Sequence, residues 1–369
     1  MKLGLGLYRH MLTRDNYRFA RQAGCTHIVA HLVDYFNQGK GNDDRENQPT
    51  GGSHGWGRAG DPDKLWTYEE LAALKAGINA EGLELEAIEN FDPAHWHDVL
   101  LDGPKKAQQL ENLKTIIRRM GRAGIPVMGY NFSIAGVAAR VKGPFARGDA
   151  ESVGMDGADH TPLPNGMVWN MVYDPSAAPG VIPSATPEQL WQRLKDFLDA
   201  LLPVAEEAGV KLAAHPDDPP TPTLRQQPRL VYQPQLYQRL LDLHPSPSNA
   251  LEFCLGSLAE MTEGDVYSAV DQYSGQNKLG YVHFRNVRDK VPYYRETFVD
   301  DGDIDMLRVL RILKKNNFKG VLIPDHTPQM SCAAPWHAGM AYALGYMKAA
   351  LQIVNAEAER EPLKSVATA

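Results

Sequence analysis

The chain has 369 residues, 43% of them hydrophobic and 22% charged, and a formal net charge of −7. That length can bury a large core, either as two domains or as one α/β barrel of about 250 residues or more. No stretch concentrates Lys and Arg, so a nucleic-acid or acidic-membrane partner is excluded, while a small anionic substrate is not. No run of about 18 apolar residues is present to span a bilayer. The apolar start of the chain is broken by Arg9 and His10 and lacks a small-residue cleavage site, so a cytoplasmic protein is expected. Three cysteines, Cys25, Cys254 and Cys332, are too few for a disulfide framework.

In chain order, short apolar runs ending in polar residues alternate with longer stretches of helical periodicity. Strands are predicted at 3–8, 27–32, 83–89, 126–132, 211–215, 250–254, 280–285 and 320–325. Each is rich in Ile, Val, Leu or aromatics and bounded by Gly, Pro or Asn, as buried parallel strands are. Helices are predicted at 68–79, 106–123, 187–208, 306–316 and 337–354. The third opens with Thr186-Pro187-Glu188, a capping residue, a first-turn proline and an acid. Gly24, Gly124 and Gly209 stand where a left-handed residue would end a helix before the next strand.

Eight strands, each trailed by a helix, is the count of a closed (β/α)₈ TIM barrel. A doubly wound open sheet is disfavoured because no G-x-G-x-x-G follows the first strand. One barrel domain over 1–357 is expected, with a polar tail at 358–369. Two Gly-rich insertions near 37–63 and 134–185 follow strands, and long loops there are expected to act as lids over the C-terminal mouth. The sequence shows no clear interface stripe, and a homo-oligomer stays open.

The ends of strands five to eight carry HPDDPP (His215 to Pro220), FCLGS (Phe253 to Ser257), HFRN (His283 to Asn286) and PDH (Pro324 to His326). Taken singly, each is unremarkable: a hydrogen-bonded histidine, a small buried cysteine, an aspartate capping a loop. Together, His215, Cys254, His283 and Asp325 recur about one βα unit apart, which a barrel turns into neighbours on one rim. Imidazole, thiolate, imidazole and carboxylate suit one divalent ion such as Mn²⁺, Fe²⁺, Co²⁺ or Zn²⁺. Arg285 lies two residues beyond His283 and shares its face on a strand. It can grip a substrate carboxylate with two hydrogen bonds, or pair with Asp217 or Asp218. Asn131 and Tyr130 end the fourth strand and can meet substrate hydroxyls, although Tyr130 equally suits the core. Asn286 and Asp217, inside the same motifs, complete the candidate substrate-binding set.

These four motifs, with Tyr130-Asn131-Phe132 in GIPVMGYNF, resemble the mannonate dehydratase family of the xylose-isomerase-like barrels. The resemblance implies a Mn²⁺-type ion on the four residues named above. It also implies loss of water from D-mannonate or a related aldonate to give a 2-keto-3-deoxy acid. His326 matches the family's Asp-His pair, which implies an acid or base, the other reading being a hydrogen bond that supports the metal ligands. The pattern then departs. Thr327-Pro328-Gln329-Met330 follows the pair without a glycine, and Pro335-Trp336-His337 replaces a Pro-Gly-Tyr. His337 stands where a catalytic tyrosine is expected, and Tyr342 where an arginine is. His337 is therefore either a substitute proton carrier, of quite different pKa, or a helix-start residue. The alternatives to a dehydratase are a metal-dependent sugar isomerase or epimerase of the same barrel group, or a metal-binding homologue without turnover.

Overall fold

The computed structural model describes residues 1–38, 48–50 and 55–360. All eight expected strands form: β1 (Lys2–Leu7), β2 (His27–Ala30), β3 (Glu84–Glu89), β4 (Val127–Tyr130), β5 (Lys211–Ala214), β6 (Asn249–Cys254), β7 (Leu279–His283) and β8 (Val321–Ile323). They close into a parallel barrel in chain order, and β1 seals it against β8 through Lys2↔Val321 and Leu3↔Leu322. Most strands end a residue or two earlier than expected, the residues beyond already belonging to the loops.

Around the barrel run α1 (Arg14–Gln22), α2 (Tyr68–Asn79), α3 (His97–Leu101), α4 (Lys106–Ala123), α5 (Pro187–Ala208), α6 (Leu236–Leu243), α7 (Leu255–Glu260), α8 (Val266–Gly275), α9 (Met306–Lys315) and α10 (Pro335–Arg360). Local chemistry sets their ends. Thr186 caps α5 in a reciprocal box with Gln189, and Thr67 does the same for α2 with Glu70. Gly124 and Gly209 stop α4 and α5 in the left-handed conformation, as expected. The last helix runs to Arg360, past the expected start of the polar tail at 358. The rest of that tail, 361–369, and the parts 39–47 and 51–54 of the first insertion lie outside the described residues.

Two apolar layers hold the fold. Outside the strands, side chains such as Leu5, Ile28, Leu212 and Leu251 are sealed under the helices by Ile116, Leu194 and Leu310. Burial of each such side chain contributes about 1.5–3 kcal/mol. Inside the barrel, the filling is mostly small or β-branched: Val29, Ala87, Val127, Ala213, Ala250, Val321 and Ile323, with Tyr281 among them. Gly129 on β4 is required there, since a Cβ would run into the Tyr281 hydroxyl and the Glu252 carboxylate. The barrel axis thus admits polar groups toward its C-terminal end.

Residues 134–185 are not an irregular loop. They form an antiparallel hairpin, Arg140–Ala146 with Ala150–Met155, which short strands at Arg295–Glu296 and Val287–Arg288 extend to four strands. A second small hairpin, Met167–Val168 with Met171–Val172, turns through Trp169 and Asn170. Among the described residues, no helix is long and apolar enough to cross a membrane.

Candidate metal centre

Three of the four expected ligands converge at the ends of β5, β6 and β7. One donor atom from each of His215, Cys254 and His283 lies within 4.8 Å of the other two. His215 Nδ1 faces the Pro216 carbonyl at 2.7 Å, which leaves Nε2 for the centre. Asp325 reaches the same His283 from β8, with Oδ2 3.4 Å from Nδ1. Its backbone is left-handed at φ 64, a conformation that costs an aspartate on the order of 1–3 kcal/mol and that its surroundings hold in place.

The electrostatics fit a divalent cation. Burial opposes ionisation of the Cys254 thiol, yet Arg285, His215 and His283 hold it well below its ordinary value. Burial likewise disfavours the charged His283, but Asp325 and Glu89 hold that imidazole protonated. His215, against the same burial, is raised to about 9 by Cys254 and Glu252. Imidazolium protons clustered on a thiolate and carboxylates are what a metal ion displaces when it binds such donors. Both ring nitrogens of His283 are sealed from solvent and make no aligned hydrogen bond, a further sign of donor atoms placed for an ion.

A second triad beneath this one escaped the sequence reading. Glu89 on β3 and Glu252 on β6 both face His283 Nε2, at 3.4 and 3.2 Å. Burial, with Glu89 beside it, pushes the Glu252 carboxyl well above its ordinary value, so it carries a proton. The available signal was an acid in an otherwise apolar strand, two residues before Cys254 and therefore on its face.

Arg285 is in a different place from the one expected. Its guanidinium is buried among protein carboxylates: Asp218 at 2.8 Å, Glu260 at 3.3 Å, Asp325 at 3.4 Å, and Glu296. It also donates to Ser257 Oγ at 3.0 Å and Cys254 Sγ at 3.4 Å. Gly256 belongs to this arrangement, since a Cβ there would strike Arg285 Nε. Held among these carboxylates, Arg285 does not line the cavity; Arg140, from the second insertion, does.

The cavity lies over the donor set and is bordered by His215, His283, Asp325 and His326 on one side and Tyr8, His31, Tyr35, Trp56 and Trp169 on the other. His326 is fixed at both nitrogens, Nδ1 3.2 Å from Glu296 and Nε2 3.1 Å from Asp325. Asn131 also borders the cavity, with Nδ2 donating to the Pro216 carbonyl at 3.0 Å and Oδ1 unpartnered.

Four expected site residues lie elsewhere. Tyr130 points outward, its ring 5.0 Å from Phe197 of α5. Asp217 accepts from the Leu230 and Val231 amides at 2.7 and 2.8 Å and pairs with Arg229 at 2.8 Å, so it braces a loop. Asn286 donates to the Val299 and Ile304 carbonyls at 3.0 and 3.1 Å and accepts from Val287 and Ile304 amides, which locks a turn. His337 starts α10 with Nε2 3.0 Å from Asn16 Oδ1 and its ring edge-on to Phe19 and Trp336. It faces α1, away from the cavity. Tyr342, on the same helix, is partly exposed and donates to Asp300 at 2.7 Å.

Comparison with known proteins gives the family and the fold. The family model described as D-mannonate dehydratase (UxuA) matches residues 21–161 and 183–356. A mannonate dehydratase of Streptococcus pneumoniae (strain 70585) is 34% identical over 279 residues, covering 71% of this chain and 75% of the relative. Mannonate dehydratase 2 of Halalkalibacterium halodurans is 30% identical over 275 residues, covering 71% and 79%. The crystal structure of mannonate dehydratase from Streptococcus suis serotype 2 superposes with a TM-score of 0.72 at 25% identity, over 97% of this chain and 96% of that one. An L-ribulose 3-epimerase shares the barrel at 15% identity, with a TM-score of 0.56 over 97% of each chain.

Proposed function

Because the chain belongs to the D-mannonate dehydratase (UxuA) family and is a sugar-acid dehydratase, we propose that it converts D-mannonate, with Mn²⁺, to a 2-keto-3-deoxy acid. The observation that carries this reading is the convergence of His215, Cys254 and His283, with Asp325 and His326 beside them, on one cavity. His215, Cys254, His283 and Asp325 would hold the ion. When bound, it supplies the positive charge that makes the proton next to a carboxylate acidic enough to remove.

The remaining work falls to side chains around the cavity. Arg140 offers the substrate a guanidinium whose Nε has no hydrogen bond. Asn131 Oδ1, also unpartnered, accepts from a substrate hydroxyl. His326 borders the cavity with a carboxylate beside each ring nitrogen, Glu296 at Nδ1 and Asp325 at Nε2, partners that favour an N–H on the ring. It is therefore the donor that protonates the departing 3-hydroxyl, so that water leaves rather than hydroxide. The aromatic wall of Tyr35, Trp56 and Trp169 excludes water around the carbon chain, and residues 134–185 act as the lid that carries Arg140.

Mn²⁺-reconstituted protein assayed against C5 and C6 aldonates should form a 2-keto-3-deoxy acid from D-mannonate. Product from another aldonate alone would keep the dehydration and replace the substrate. No product from any acid, with metal bound, would overturn the proposed reaction.

A further inference from the structure

Dehydration needs two proton transfers, one from carbon 2 and one to the hydroxyl on carbon 3, and His326 accounts for one. His337 faces α1 and cannot supply the other. We infer that His31, just beyond β2, is the base that takes the carbon-2 proton; the inference rests on the dehydratase reading above.

Three observations single it out. First, His31 borders the cavity and, unlike His215 and His283, is not in the donor set. Second, its hydrogen bonding is one-sided. In the tautomer that donates Nδ1–H to the Tyr35 hydroxyl oxygen at 3.2 Å, an oxygen that also accepts from Asn90 Nδ2 at 3.0 Å, the lone pair is on Nε2. Nε2 is 3.6 Å from Glu89 Oε2, too far for a hydrogen bond but close enough to stabilise a positive charge once a proton arrives. Third, burial favours the neutral ring, though Glu89 partly opposes this, so a lone pair is available. His326 differs, with a carboxylate oxygen within 3.2 Å of each ring nitrogen. The two phenols of the cavity wall fit less well. Tyr8 and Tyr35 are phenols whose burial holds them neutral, and a neutral phenol is a poor base.

The step balances. The C2–H bond breaks, its proton goes to His31 Nε2, and its electron pair spreads into the carboxylate. The C3–O bond then breaks as His326 gives its proton to the leaving oxygen. Water departs, and the enol takes a proton at carbon 3 to become the 2-keto-3-deoxy acid. The proton that carbon 3 takes is the one held by His31, and the carbon-2 hydroxyl of the enol gives up its proton to refill His326.

An aldonate lacking the 3-hydroxyl separates the two transfers, because it can exchange its carbon-2 proton with ²H₂O but cannot eliminate. Wild-type, His31→Asn and His326→Asn proteins, loaded with Mn²⁺ and matched for metal content, would be followed by NMR on this analogue and by product formation from D-mannonate. His31→Asn should lose both exchange and dehydration by on the order of 10²–10⁴-fold. His326→Asn should lose dehydration and keep exchange within a few-fold. Added imidazole should restore exchange to His31→Ala, which a misfolded protein would not permit. Wild-type exchange in His31→Asn, or loss of exchange in His326→Asn alone, overturns the assignment. A wild-type protein that neither exchanges nor eliminates overturns the dehydratase reading itself.

Discussion

The rim built by β5 to β8 and the rim built by β1 and β2 border the same cavity, yet they are made differently. On the first, His283, Arg285, Asp325 and His326 are interlocked with Asp218, Glu252, Glu260 and Glu296, and few contacts can change without disturbing a charge. On the second, Tyr8, His31 and Tyr35 pack as aromatic rings, with centroids 4.9 to 5.9 Å apart and few hydrogen bonds. The first rim gathers fixed charge around the candidate donor set. The second keeps groups neutral and available. A site that must both polarise a substrate and accept its proton needs these opposite environments side by side.

Substitutions should separate the two. The largest effect is expected from Arg285→Ala, which strands Asp218, Glu260 and Glu296 in the interior; loss of one partner from a buried ion pair costs roughly 3–5 kcal/mol. Chemical denaturation would show it, and an unchanged midpoint would mean that the carboxylates find other partners. Next is Cys254→Ser, read by elemental analysis. Loss of a supporting contact to a ligand typically costs about 10–100-fold in metal affinity, and loss of the thiolate itself should cost more. Full metal content would remove Cys254 from the donor set. Arg140→Met should raise KM by about 10–100-fold with a smaller change in kcat, since a charged hydrogen bond contributes about 1.5–3 kcal/mol. A fall in kcat alone would contradict its assignment to substrate binding. The smallest effect belongs to His337→Ala. Turnover should stay within about twofold, because its contacts are with α1, and contacts away from buried networks usually matter little. A large loss would return His337 to the chemistry.

The β5–β8 rim was legible because its signals are local. Each donor sits at the end of an apolar run, and the runs repeat about one βα unit apart. The barrel followed from the same count. The roles inside the motifs were less legible, because a motif records which residues occur together but not which way each one points. Asp217 and Asp218 are adjacent, yet one braces the 230–231 backbone and the other pairs with Arg285. Asn286 follows Arg285 but faces a turn. Counting along the sequence from Asp325-His326 also failed for His337, since the loop after them sets α10 against α1. Arg140 and His31 left no trace at all. One lies in an insertion without periodicity, and the other becomes notable only when Glu89 and Tyr35 are seen beside it.

The seam between β1 and β8 has a consequence for heat inactivation. Tyr8, His31 and His326 all stand on or next to the strands that join the two ends of the chain, whereas His215, Cys254 and His283 come from strands deeper in the sequence. Chain ends fray before interiors do. Warming should therefore loosen His326 and its neighbour Asp325 before the strands that carry His215, Cys254 and His283, so that turnover fades before the protein unfolds.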